Sequence, residues 1–175
     1  VELWLEQVVD DPSPASVKEF HAFLKAFAPV LEPAKETIYR LVSSHGRDED
    51  YLVFASLNKD YERVLERHIQ RGDHAKAVET LADQARRWSD RSRGALSKFV
   101  GLYYKFSSEL MQHCPRDTVN AWVDASDLIE VGKLIPALVP FSNPGGGKGD
   151  TFLQGRVEAI RYLEHCVHVL QCEDE

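Results

Sequence analysis

Residues 60–85 read DYERVLERHIQRGDHAKAVETLADQA, and this stretch decides the fold. Asp60 starts a helix whose stripe is Val64, Leu65, His68 and Ile69, one face of a 3.6-residue period. Gly72 ends it, because glycine accepts the left-handed backbone that closes a helix. Asp73 follows at once as the cap of a second helix, with Ala77, Val78, Leu81 and Ala82 inward. A link this short forces antiparallel neighbours, so residues 60–85 predict a helical hairpin.

The same logic runs outward in both directions. Upstream, residues 1–9 read as a short apolar helix. Ser13 and Pro14 then read as cap and first helical position, with Phe20, Phe23, Leu24 and Phe27 on one face. Pro29 and Pro33 close that helix and open the next, where Ile38, Leu41 and Val42 share a face and Gly46 supplies the stop. Asp48 caps a third helix with Tyr51, Phe54 and Ala55 inward.

Downstream, a helix over about 93–113 carries Leu96, Phe99, Val100 and Tyr103 inward, and Cys114-Pro115 breaks it. Pro115 begins the next helix, bearing Val119 and Trp122. Trp122 is expected to bury against Tyr103 or Leu110. A short helix over about 133–139 is interrupted by Pro136 and Pro140. Residues 142–151, with four glycines, read as a flexible loop. The last helix, about 152–170, carries the stripe Ile160, Leu163, Val167 and Leu170.

No alternation of apolar and polar residues bounded by hairpin turns marks a strand. The reading is all-α: an α-solenoid of stacked antiparallel helix pairs, residues 1–175 forming a single segment of it. A compact helical bundle competes, and the aromatic load at inward positions fits either. The repeated cap, helix, glycine and cap favour the solenoid.

Composition narrows the function. The chain has 175 residues, 43% hydrophobic and 28% charged, enough to bury a core. A net charge of -7 argues against nucleic acid and against an electrostatic hold on anionic lipid, both of which need clustered Lys and Arg. No apolar run approaches a membrane span, and no signal-peptide pattern opens the chain. Val1 is no start methionine, and both ends read as cut from something longer. Cys114, Cys166 and Cys172 form no C-x-x-C pair, which favours reduced thiols in the cytosol.

The motifs that invite chemistry fail in detail. Gly145 to Thr151 reads GGGKGDT, but a phosphate loop needs Ser or Thr directly after its lysine, and Gly149 follows Lys148. His165, His168 and Cys172 lie at i, i+3, i+7 with Cys166 beside them, three soft ligands where structural zinc wants four. His68, His74 and His113 sit singly at helix ends or shoulders, and no nucleophile elbow is present. No catalytic, cofactor-binding or metal-ligating residue is assigned, no cofactor is expected, and the chain reads as non-enzymatic. The mixed charges at Asp83 to Arg87 and Asp90 to Arg93 read as solvated helix ends.

A resemblance adds to this reading. Asp60 to Leu65, His68 to His74 and Ala77 to Leu81 are similar to a clathrin heavy-chain-type helical repeat. Tyr104 to Ser107, His113 to Arg116, Ala121 to Val123, Leu134 to Val139 and Ala159 to Glu164, in this order and spacing, resemble the vacuolar protein sorting-associated protein 18 family, also called the deep orange family. The likeness covers about residues 34–170. It implies a subunit shared by the HOPS and CORVET tethering complexes, with an N-terminal β-propeller, a long α-solenoid and a C-terminal RING-type zinc domain. This chain would be the early part of that solenoid. The implied role is a structural and interaction scaffold in vesicle docking and fusion, cytoplasmic and peripheral on endosome and vacuole or lysosome membranes. The implied partners are the other tether subunits, with no nucleic acid, membrane insertion or small-molecule substrate; the partner-binding residues are not identified. The alternative is a generic solenoid adaptor that grips a peptide or helix in a concave groove.

Overall fold

The computed structural model describes residues 10, 13–87, 93–143 and 149–173, and every regular element among them is a helix. The expected helix over 1–9 lies outside the described residues. The chain divides into two compact units between Arg71 and Gly72. The division falls inside the stretch read as one hairpin: its first helix belongs to the first unit and its second helix to the second.

The first unit holds α1 (Pro14–Leu31), a 3-10 turn (Glu32–Ala34), α2 (Lys35–Ser44), α3 (Asp48–Leu57) and α4 (Tyr61–Gln70). Ser13 caps α1, its side chain accepting from the Ser16 N–H at 3.2 Å. Pro29 does not close α1, contrary to the expectation. The helix runs on to Leu31, which is buried and anchors the last turn, and Pro33 lies in the 3-10 turn. Phe20 and Leu24 are wholly buried, but Phe27, expected inward, is exposed. Asp48 is the first residue of α3 rather than its cap, and Arg47 holds the cap position. Asp48, Glu49 and Asp50 then fill the first turn, where the helix dipole favours negative charge.

Helix α3 packs on α1, α2 and α4. The core joins Phe20 and Leu24 to Ile38, Tyr39, Val42, Phe54 and Val64. Asp50 is buried, with His21 Nε2 at 2.5 Å and the Arg47 guanidinium also on its carboxylate. Three arginines at i, i+4, i+8, the last at the C-cap, fasten α4 to its neighbours. Arg63 Nη2 donates to both oxygens of Glu36 at 2.7 and 2.9 Å. Arg67 lies 3.3 Å from Asp48, and Arg71 lies 2.9 Å from Glu49. Arg63 also stacks over Tyr39 and Arg67 over Tyr51, each at 4.3 Å.

The second unit holds α5 (His74–Arg86), α6 (Arg93–His113), α7 (Pro115–Asp124), α8 (Val131–Ser142) and α9 (Asp150–Glu173). Each helix packs on its next-but-one neighbour: α5 on α7, α7 on α9, and α6 on α8. Sequence neighbours also pack, α6 on α7 and α8 on α9 among them, and α9 reaches α6 as well. Two layers result, α5, α7 and α9 in one and α6 and α8 in the other. This is solenoid stacking, in which each pair buries its apolar face on the pair before it.

Trp122 is buried, and its ring meets Tyr162 of α9 edge-on at 5.2 Å. The Tyr104 hydroxyl of α6 accepts from the Glu130 N–H at 2.7 Å and fixes the start of α8. Of the loop expected over 142–151, Ser142 closes α8, and Asp150 and Thr151 open α9; residues 144–148 lie outside the described residues.

Candidate docking surface

Helix α8 is longer than the sequence implies. It is one helix over 131–142 with Pro136 and Pro140 inside it, not a short helix interrupted by them. Each proline removes a hydrogen bond to the carbonyl four residues back, on Gly132 and on Pro136. Gly132, Pro136 and Pro140 all lie on the exposed side, where water can satisfy those carbonyls. The opposite stripe, Leu134, Ala137, Leu138 and Phe141, is buried and holds the helix together. Ile135 and Val139 are left out in solvent, 47% and 58% exposed.

Helix α9 reverses an expectation. Ile160, Leu163 and Val167 were expected inward, and all three are exposed, with Leu153 and Val157 extending the same stripe. The Leu170 side chain lies outside the described residues. The buried side is made of Gly155, Ala159, Tyr162 and Cys166. Gly155 is there because nothing larger fits: a Cβ on it would meet Phe141 Cε1 at 2.3 Å. Small residues four apart let the α9 backbone close on α8, and Phe152 packs on Phe141 at 5.6 Å from the other side. At roughly 100° per residue the exposed stripe is centred about 130° round the helix from the buried one, so the two are adjacent sides of one broad apolar arc. The larger aliphatics drew the sequence reading to the wrong side; the spacing Gly155-x-x-x-Ala159 was the signal that marked the right one.

Polar contacts complete the α9 seat. Arg161 donates to Glu158 at 2.6 Å and to Asn120 of α7 at 2.8 Å. Burial pushes the Tyr162 phenol and the Cys166 thiol above their ordinary pKa values.

Between the outer sides of α8 and α9 runs an open groove. One section of about 360 Å³ is lined by Ile135, Leu138 and Val139 from one helix and Ala159, Ile160 and Leu163 from the other. Ile160 and Leu163 also line a shallow hollow of about 370 Å³ on α9 alone, which continues past Val167. Arg156 borders the groove, and Glu164 and His168 border the hollow. This geometry offers dispersion contacts and apolar burial, with a few charges at the rim; it suits a docking helix rather than bond chemistry.

Lys148 lies outside the described residues, as does the side chain of Cys172. His165 is half-buried with its Nε2 enclosed and without a hydrogen-bond partner, while His168 is exposed at the α9 hollow. Among the described residues no group of three His, Cys, Asp or Glu stands together as a metal site. His68 is half-buried on α4. His74 and His113, read singly, are stacked at 3.9 Å with rings 14° apart, and the Gly72 carbonyl lies 3.1 Å from His74 Nδ1. Arg86 pairs with Asp83 and lies 3.9 Å from Asp124. No helix among the described residues is long and apolar enough to cross a membrane.

Residues 61–175 match the family model described as VPS18, alpha-solenoid domain, second half. The vacuolar protein sorting-associated protein 18 homolog of Danio rerio is 34% identical over 90% of this chain and 14% of its own length. The vacuolar sorting protein 18 of Arabidopsis thaliana is 33% identical with the same coverage. The vacuolar membrane protein pep3 of Schizosaccharomyces pombe is 26% identical over 99% of this chain and 17% of its own length. The chain thus spans about one seventh of the length of the first two relatives. No solved structure matches it. The match also corrects the expected position within the solenoid, since residues 61–175 correspond to its second half and not to its early part. Stacked helix pairs, the family model and relatives at one-third identity agree, and the chain belongs to the VPS18 family.

Proposed function

We propose that residues 1–175 are one solenoid segment of a tethering subunit of the HOPS and CORVET complexes, acting in vesicle docking and fusion at endosomes and the vacuole or lysosome. The segment is a non-enzymatic spacer that works in the cytoplasm, peripheral to those membranes. Its partners are the other subunits of the two complexes. The names of the relatives, vacuolar sorting proteins and a vacuolar membrane protein, support the cellular setting.

The observation that carries the spacer reading is the next-but-one stacking of α5 to α9. Such an array transmits force through neighbour contacts and holds distant parts of a protein at fixed separation. The polar side chains support the same reading: Arg63, Arg67 and Arg71 in one unit and Arg161 in the other are engaged with adjacent helices. The exposed aliphatics between α8 and α9 favour the second reading, an adaptor that grips a partner helix.

The test is a pull-down of this chain against each separate tether subunit, beside a complementation assay. In the assay, the segment is replaced in the full-length protein by an unrelated helical array of equal length. A spacer tolerates the replacement in part, and the isolated chain captures few subunits. Complete loss of complex assembly on replacement, with tight capture of one subunit by the isolated chain, would overturn the spacer in favour of the adaptor.

A further inference from the structure

We infer that the groove between α8 and α9 seats the next helix pair of the solenoid, an amphipathic hairpin supplied by the same polypeptide. This rests on the solenoid reading of the segment and names what covers its open face.

Three observations carry it. First, α9 is apolar over two adjacent sides: Gly155, Ala159, Tyr162 and Cys166 are buried, while Leu153, Val157, Ile160, Leu163 and Val167 are 44–63% exposed. That arc is wider than the single face a surface helix turns to its core. Second, the packing rule of this unit already defines the seat. Helix α9 lies against both α6 and α7, the two members of the preceding pair. Advancing the rule by one pair puts a helix against both α8 and α9, which is where the groove runs. Third, the chain covers 14% of the length of its VPS18 relatives, so full-length members have polypeptide to spare for further pairs.

The occupant's chemistry follows from the lining. The exposed stripe from Leu153 to Val167 spans fourteen residue steps, about 21 Å at 1.5 Å per residue. It calls for a helix of about four turns with aliphatics at i, i+3 or i+4, and i+7, meshing with Ile135, Val139, Ile160 and Leu163. An acidic side chain at one end would meet Arg156, and a basic one at the other would meet Glu164.

The test compares thiol labelling in the 175-residue chain and in the full-length protein. Ile160→Cys and Val139→Cys are introduced singly, with Cys114, Cys166 and Cys172 replaced by Ala, and Glu109→Cys on the exposed side of α6 serves as control. A water-soluble maleimide is the probe. In the 175-residue chain both groove positions should label about as fast as the control. In the full-length protein they should slow by about tenfold or more while the control is unchanged, as a covered site does. Equal rates in the two proteins would overturn the inference. So would protection that appears in the 175-residue chain as its concentration rises, which marks a second copy. Protection of the full-length protein only after purified tether subunits are added would assign the groove to a partner instead. Both substitutions are at exposed positions, and a melt of each variant checks folding. Tight capture of one subunit in the pull-down would overturn the spacer and leave the labelling result intact, so the two readings fail separately.

Discussion

Replacing Trp122 with alanine should unfold the second unit at a markedly lower temperature without removing any chemistry. The indole is 1% exposed on α7 and meets the Tyr162 ring of α9 edge-on at 5.2 Å. Truncating a buried Trp to Ala costs about 3–5 kcal/mol, lost transfer energy and cavity together. The aromatic pair supplies about 0.5–1.5 kcal/mol of that. For a unit of this size each kcal/mol moves the melting temperature by about 4–8 °C, so the fall should be at least about 12 °C. The damage should begin at the α7–α9 interface, because neighbour contacts carry the stability of a stacked array. A thermal melt followed by circular dichroism reads the size of the effect. Hydrogen exchange reads its place: amides of α7 and α9 should lose protection before those of α3. Trp122→Phe keeps a ring in the cavity and should lose less. An unchanged melt would refute the reasoning. If partner capture were lost with the melt unchanged, Trp122 would belong to an interface and the adaptor reading would gain.

Other outcomes follow from particular contacts. Gly155→Ala should destabilise despite alanine's gain of about 1 kcal/mol in helix propensity, because the new Cβ overlaps the buried Phe141 ring and overpacking costs about 1–3 kcal/mol. Gly132→Ala, at a site with nothing within 4 Å, should raise the melting temperature instead, and equal gains at both sites would sink the close-approach argument. Burial pushes the Tyr39, Tyr103 and Tyr162 phenols above their ordinary value near 10, so the stability they contribute is intact below about pH 10. It should fall as pH rises beyond that, since the unfolded chain releases those protons first; a denaturant midpoint that stays flat from about pH 8 to pH 11 would contradict this. Glu36→Gln removes an exposed partner of Arg63 and should cost no more than about 1 kcal/mol, shrinking further in salt; a loss several times larger would mean the pair is not the solvent-screened contact described.

Much of the fold was legible because helix stops and stripes are local. Arg93–His113 and the start at Pro115 follow the expected bounds, and the stop glycines Gly46 and Gly72 take φ of +66° and +77°. Proline was the misleading signal. Pro29, Pro136 and Pro140 lie inside helices, since a missing donor costs little where water reaches the freed carbonyl and a buried stripe holds the turns together.

The sequence by itself determined that the chain is helical, where most helices begin and end, and which family its motifs resemble. Those are properties of short windows: caps, periods and ordered spacings. Tertiary structure decided which side of α9 is inside, a choice the sequence marks only by the spacing of Gly155 and Ala159. The larger aliphatics Ile160, Leu163 and Val167 outweigh the small residues on any hydropathy reading, yet only Gly155 and Ala159 let two helix backbones approach closely enough to pack. It also decided the division between Arg71 and Gly72, the meeting of Trp122 with Tyr162, and the open groove beside Ile135 and Val139. Each of these depends on which helix lies against which, a choice made by volume and shape across residues far apart in the chain, which no local period encodes.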